Sequence, residues 1–251
     1  MKLRNSRSAI EWGERRSKVP KRIAEPMRMV AVETSGPQGG LALAESGRLL
    51  AEVHLAWGPR RGQDLVAAVR DACVRAGWRP TDVEAVALGI GPGSFTGLRT
   101  AVVFAKMMAR ETGARIVAVP TLRAMAENAP AEATRVAAVL DAKRGGLFAS
   151  IFERAGSGWR ETFGPALIEP EVLASRLARP ALVLGRGIEK GRAALAGFDL
   201  AAEGLWDPRA GVVARLGAAA AERGEWADAM TLEPIYIRPP EAQELWEQGR
   251  R

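Results

Sequence analysis

Histidine and cysteine are almost missing from this 251-residue chain: His54 and Cys73 each stand alone. A single cysteine rules out an intrachain disulfide and points to a reducing, cytoplasmic setting. One histidine and one distant thiol are a poor start for a zinc site, which takes three or four N, S or O ligands. Any Ser-His-Asp triad would have to use His54. No stretch approaches the roughly 18–20 apolar residues of a membrane span. The first 26 residues also lack the apolar segment of a secretory signal. What the chain does have is ordinary: 26% charged and 47% hydrophobic residues, which excludes disorder as the dominant state. The length allows one large domain or two small ones.

The chain carries 36 Lys and Arg against 29 Asp and Glu, a net charge of +7. Such an excess raises nucleic acid as a first partner to consider. Its location argues otherwise. Residues 1–26 hold eight basic side chains and three acidic ones, leaving 28 basic against 26 acidic for the other 225 residues. The body is close to neutral and is not a strong phosphate-binding surface. Residues 1–26 show no sustained period and read as a basic flexible tail. Met27 and Met29, just before the first strand pattern, raise the alternative that translation starts there.

From Met29 the pattern changes. Met29–Val32 is an apolar run stopped by Glu33-Thr34-Ser35-Gly36-Pro37, a strand followed by turn chemistry. Gly40–Ala44 and Leu49–Leu55 are further strands, too close together for anything but antiparallel hairpins. A helix is expected over 63–76, with Leu65, Val66, Val69, Ala72 and Cys73 on one face. Then come a strand at Val83–Leu88, a helix at Ser94–Thr112, a strand at Ile116–Val119 and a helix at Thr121–Asn128. This order is a mixed α/β layer with an antiparallel edge, the ribonuclease H-like half-domain plan of the actin and sugar-kinase superfamily. Strands at Val136–Leu140, Leu147–Phe152, Phe163–Ile168 and Ala181–Gly185, with helices near 170–178, 188–196 and 208–223, open a second run in the same way. The expectation is a two-lobed actin-like fold. Residues 27–125 would form an N-terminal lobe and 126–251 a C-terminal lobe, with the last helix packing back on the first.

Gly91-Pro92-Gly93-Ser94-Phe95-Thr96-Gly97-Leu98-Arg99 joins a strand to a helix. Its glycines permit a sharp turn, Ser94 is a good N-cap, and free N–H groups at a helix start attract anions. Gly93 and Ser94 are thus candidate phosphate-facing residues. Against this, Leu98 follows Gly97 where a P-loop carries Lys, and the dinucleotide fingerprint lacks its third glycine. A plain strand-to-helix turn is the commoner meaning of such a stretch. The helix itself has an apolar stripe of Phe95, Leu98, Val102, Ala105 and Ala109, with Val103, Phe104, Met107 and Met108 covering much of the rest. A helix apolar nearly all round is buried on more than one side, so a partner subunit or a second lobe is expected against it. Glu33, Thr34 and Ser35 sit where nucleotide-binding members of the superfamily present an acid and small hydroxyls, and Asp141 opens the matching turn of the second run. Paired acids can hold Mg²⁺, although a strand-end acid is more often a turn former. His54 lies opposite the face shared by Leu49, Ala51, Val53 and Leu55, and reads as a surface or groove residue.

Val30-Ala31-Val32-Glu33-Thr34-Ser35, Leu88 through Arg99 and Leu140-Asp141-Ala142-Lys143-Arg144-Gly145 together resemble the TsaB/YeaZ family. Pro234-Ile235-Tyr236-Ile237-Arg238 is similar to that family's closing segment. The likeness spans about residues 29–240 and leaves the tail outside. It implies a role in making threonylcarbamoyladenosine in tRNA, as a non-catalytic activator paired with a TsaD-like transferase and joined by a TsaE-like ATPase. Homodimers through the N-terminal lobe are implied as well, with tRNA met only through the complex and ATP or ADP with Mg²⁺ belonging to the assembly. On that likeness the interface would use Phe95, Arg99, Val102, Val103, Lys106 and Met107. Two departures weaken a nucleotide site inside this chain: Glu33 stands where Asp is usual, and Gly146 where Glu is frequent. The alternatives are an ATP-dependent phosphotransferase using Glu33 and Asp141, and a metallopeptidase. The histidine count nearly eliminates the latter.

Overall fold

The computed structural model describes residues 26–56, 61–143 and 146–238. The basic tail, apart from Pro26, lies outside the described residues. Strands β1 (Arg28–Glu33), β2 (Gln38–Glu45) and β3 (Arg48–Ala56) are followed by helix α1 (Arg61–Arg75), β4 (Ala85–Gly89), α2 (Phe95–Thr112) and β5 (Arg115–Val119). They form a sheet of order β3-β2-β1-β4-β5, antiparallel across β1, β2 and β3 and parallel from β1 through β5. The β2–β3 turn is tight because Ser46 and Gly47 both take positive φ (48° and 80°), the conformation a twisted two-residue hairpin requires.

After α3 (Thr121–Ala126), the strands β6 (Arg135–Asp141), β7 (Leu147–Ala155) and β8 (Gly158–Ile168) lead to α4 (Pro170–Arg176), β9 (Leu182–Leu184), α5 (Gly187–Leu195) and β10 (Asp199–Leu200). The second sheet has order β8-β7-β6-β9-β10, with β6, β7 and β8 antiparallel and β6, β9 and β10 parallel. Strand for strand this repeats the first sheet. The chain therefore has the two-lobed, actin-like α/β fold, built from two ribonuclease H-like halves whose kinship is in topology rather than sequence.

Alternation along β1 explains how the first sheet is covered on both sides. Val30 and Val32 point into a core shared with α1 and α2, which includes Leu65, Val69, Phe104 and Met108. Met29 and Ala31 point the other way, into a core completed by α6 (Ala210–Glu222), with Val213, Ala214 and Ala218. Helix α6 follows the second sheet in the chain and returns to the first. Small residues let it approach closely, since a Cβ on Gly217 would stand 2.5 Å from that of Ala87. Helix α3 lies at the division between the lobes. A boundary at 125/126 cuts it, and its Leu122, Met125 and Ala126 bury with the second sheet.

Two expectations drawn from the sequence are corrected. Val66 is 46% exposed, whereas Leu65, Val69 and Cys73 are buried. A register shift opposite Leu43 and Ala44 interrupts the alternation of β3, so Leu49 faces outward while Ala51, Val53 and Leu55 pack on the core. Strand β10 has only two residues and so carries no periodicity in the sequence. Among the described residues no helix is long and apolar enough to cross a membrane.

Candidate functional site

In open α/β sheets ligands sit beyond the carboxyl ends of the parallel strands, and the first sheet brings Glu33, Thr34, Ser35, Gly93 and Ser94 together there. It does so by packing them shut. Glu33 is completely buried. Its Oε1 accepts the Ser35 backbone N–H at 2.6 Å, while Oε2 has no hydrogen-bond partner. The carboxyl group lies where Gly89 would carry a Cβ. Burial pushes the Glu33 carboxyl above its ordinary range, opposed only in part by hydrogen bonding from Ser35 and Thr34.

The glycines of the β4–α2 turn serve the same close packing. Ser94 donates its N–H to the Ser35 carbonyl at 2.7 Å, and a Cβ on Gly93 would stand 2.6 Å from that carbonyl oxygen. Gly97 leaves no room for a Cβ beside the Thr34 carbonyl, and Thr34 Oγ1 donates to Gly97 O at 2.8 Å. Ser94 caps α2, its Oγ accepting the Gly97 N–H at 3.3 Å. The glycines of the motif are thus accounted for by chain crossing chain at Thr34 and Ser35.

Asp141 is used differently. It is exposed at the end of β6, and its Oδ1 accepts from the Lys143 N–H at 2.7 Å and from Lys190 Nζ at 3.1 Å. That makes it a turn former tied to α5. Among the described residues no group of three or more His, Cys, Asp or Glu side chains is placed to hold a metal. The residues present do not fit a Mg²⁺-nucleotide: one acid is buried against glycine, the other paired with lysine. His54 is exposed on β3, opposite Gly40.

The outer face of α2 is open. Val103 is 65% exposed, and Phe95 and Met107 are exposed with it. With Val66 of α1 and Arg99 they line a groove of about 430 Å³. Val102, grouped with this set from the sequence, is corrected: it is 6% exposed and belongs to the core with Phe104 and Met108. Phe95, on the same apolar stripe as Val102 and in the same interface set, is exposed. Lys106 sits at the margin, its Nζ donating to the Met230 carbonyl at 3.4 Å.

Two further participants, Tyr236 and Arg238, stand in the closing motif of the sequence. The Tyr236 ring packs against Phe95 at a tilt of 36°, with centroids 5.3 Å apart, and the Arg99 guanidinium lies 4.9 Å from the Phe95 centroid. Arg238 donates to the carbonyl of Ala142 at 2.7 Å, across the lobes. Their separation along the chain hides both relationships from sequence reasoning. Val66, another groove residue, is concealed by its place in an apolar pattern.

Residues 62–202, more than half of the chain, match the family "TsaD: tRNA N6-adenosine threonylcarbamoyltransferase". The tRNA threonylcarbamoyladenosine biosynthesis protein TsaB of Escherichia coli is 33% identical over 155 residues, covering 60% of this chain and 66% of that protein. So the chain spans just under two thirds of that relative. TsaB of Bacillus subtilis is 26% identical over 235 residues, 90% of this chain and 100% of that one. YeaZ from Pseudomonas aeruginosa superposes with a TM-score of 0.72 at 27% identity, covering 84% of this chain and 99% of that structure.

Proposed function

The chain belongs to the TsaD family, on its TsaB/YeaZ branch, and from that premise we propose that it is a non-catalytic, activating subunit in the synthesis of threonylcarbamoyladenosine in tRNA. It pairs through the outer face of α2 with a TsaD-like transferase, a TsaE-like ATPase joins the pair, and tRNA is met through the complex. A second copy can occupy the same face. ATP or ADP and Mg²⁺ then belong to the assembly, and the work is done in the cytoplasm. The names of the E. coli and B. subtilis relatives support the pathway.

The observation that carries the subunit role is the exposure of Phe95, Val103 and Met107 on a helix whose other sides are core. Contiguous apolar surface rimmed by polar groups marks protein–protein contact. The buried Glu33 supports the non-catalytic half of the proposal, because it is sealed from any substrate, and the exposed Asp141 is engaged by Lys190. The test is reconstitution. The purified chain is expected to be inert alone and to restore tRNA modification when added to the TsaD-like and TsaE-like proteins with tRNA and threonylcarbamoyl-adenylate. Turnover of ATP by the chain alone, lost in Asp141→Asn, would replace this reading with a phosphotransferase.

A further inference from the structure

Three motifs that stand far apart in the sequence meet along one segment, Leu232–Arg238. Leu232 is buried in the core of the first lobe. The Ile235 N–H donates to the Ile90 carbonyl at 2.7 Å, and the Ile235 carbonyl passes Gly91 so closely that a Cβ there would stand 3.1 Å from it. Gly91 also has φ +103°, a conformation in which a side chain is strained. Next, Tyr236 lays its ring on Phe95. Finally, Arg238 reaches the second lobe, where its Nη1 donates to Ala142 O at 2.7 Å and to Lys143 O at 3.4 Å. The receiving turn is already shaped for this. Asp141 holds the Lys143 N–H, and Lys143 has φ +59°.

We infer that Leu232–Arg238 is a clasp between the lobes, and that Tyr236 couples its closure to occupancy of the α2 groove. The coupling rests on the subunit reading above. Phe95 is the shared residue, since it lines the groove and is held by Tyr236 on the clasp and by Arg99 beside it. A partner seated in the groove touches a ring whose position the clasp sets. The partner therefore binds the clasped form more tightly, and by linkage its binding holds the clasp closed. Arg238 acts here as a positioning residue, because it touches the Ala142 turn and reaches the groove only through Tyr236.

The test uses the full chain with the TsaD-like subunit as probe, in wild type, Arg238→Ala, Arg238→Lys, Tyr236→Ala and Tyr236→Phe. Amide exchange at Ile235 reports the clasp, and the Ala201 amide, bonded to Val183 in the second lobe, is the control. Arg238→Ala is expected to speed exchange at Ile235 but not at Ala201, and to weaken partner binding about fivefold or more. Tyr236→Ala should weaken binding to a similar extent, Tyr236→Phe should leave it unchanged, and Arg238→Lys should restore part of the loss. Partner binding to wild type should in turn slow exchange at Ile235. Unchanged exchange in Arg238→Ala overturns the clasp. Faster exchange with unchanged affinity overturns the coupling. Failure of the wild-type chain to bind the TsaD-like subunit overturns the subunit reading and the coupling with it, while exchange at Ile235 still judges the clasp.

Discussion

The carboxyl group of Glu33 occupies the space in which Gly89 would carry a Cβ, so an acid on β1 and a glycine on the neighbouring parallel strand β4 form one packed unit. An acid sealed in this way is most stable when protonated, and the consequence is measurable.

Burial raises the Glu33 carboxyl above its ordinary 4.5, against the opposing hydrogen bonds from Ser35 and Thr34. The stability from the neutral form is fully present below pH 4.5 and is lost as pH rises through the folded value. Glu33→Gln keeps the shape and the Oε1 acceptor but cannot ionise. Its stability relative to wild type should therefore grow from acid pH to neutrality. Urea denaturation of both proteins across that range checks this, and a gap independent of pH would show that the carboxyl titrates alike in the folded and unfolded chain.

Gly97 is expected to tolerate nothing larger. A Cβ there meets the Thr34 carbonyl, a backbone atom that cannot swing aside. Gly97→Ala should cost about 3 kcal/mol, the upper end of ordinary overpacking. Gly204, with no atom within 4 Å of its would-be Cβ, is the control, and Gly204→Ala should be close to neutral. Thermal or chemical denaturation of the two variants decides the matter; equal stabilities would mean the helix start can shift freely.

These contacts show what was legible in the sequence. Apolar runs closed by turn residues identify β1 and β4 correctly, and Ser94 marks the start of α2. What Glu33 does was not legible, because its fate depends on Gly89 and on the crossing of Thr34 over Gly97. The same limit applies to Arg238 and Ala142, which lie 96 positions apart. Helix α2 misled for a different reason. When nearly every face is apolar, spacing cannot rank the faces. The packing of α2 on the sheet turned Val102 inward and Phe95 outward.

Glu127, just after α3, responds to pH with the opposite sign from Glu33. Burial alone would raise its carboxyl, but hydrogen bonds from Arg215 of α6 and Arg123 of α3 hold it below its ordinary 4.5. Its contribution is present above pH 4.5 and is lost as pH falls through the folded value. Because the Arg215 side chain is 56% exposed, solvent screens that pair. Glu127→Gln should cost about 1–2 kcal/mol at neutral pH and progressively less in acid. Denaturation at neutral pH and well below pH 4.5 measures it, and an equal cost at both would remove the ion pairs as its source.

Neighbouring valines on α2 give the sharpest test of which face meets a partner. Val103 is 65% exposed and Val102 6%, although both are apolar and adjacent. Val103→Arg places its charge in water, so folding stability should stay within about 0.5 kcal/mol of wild type. A guanidinium in the groove beside Phe95 and Met107 would face desolvation without a partner, so association with the TsaD-like subunit, or with a second copy, should be lost. Val102→Arg buries the same charge in the first-lobe core and should unfold the protein. Circular dichroism melting separates the two variants, and sedimentation velocity with and without the TsaD-like subunit reads association. Undiminished association in a folded Val103→Arg protein would move the interface off this face.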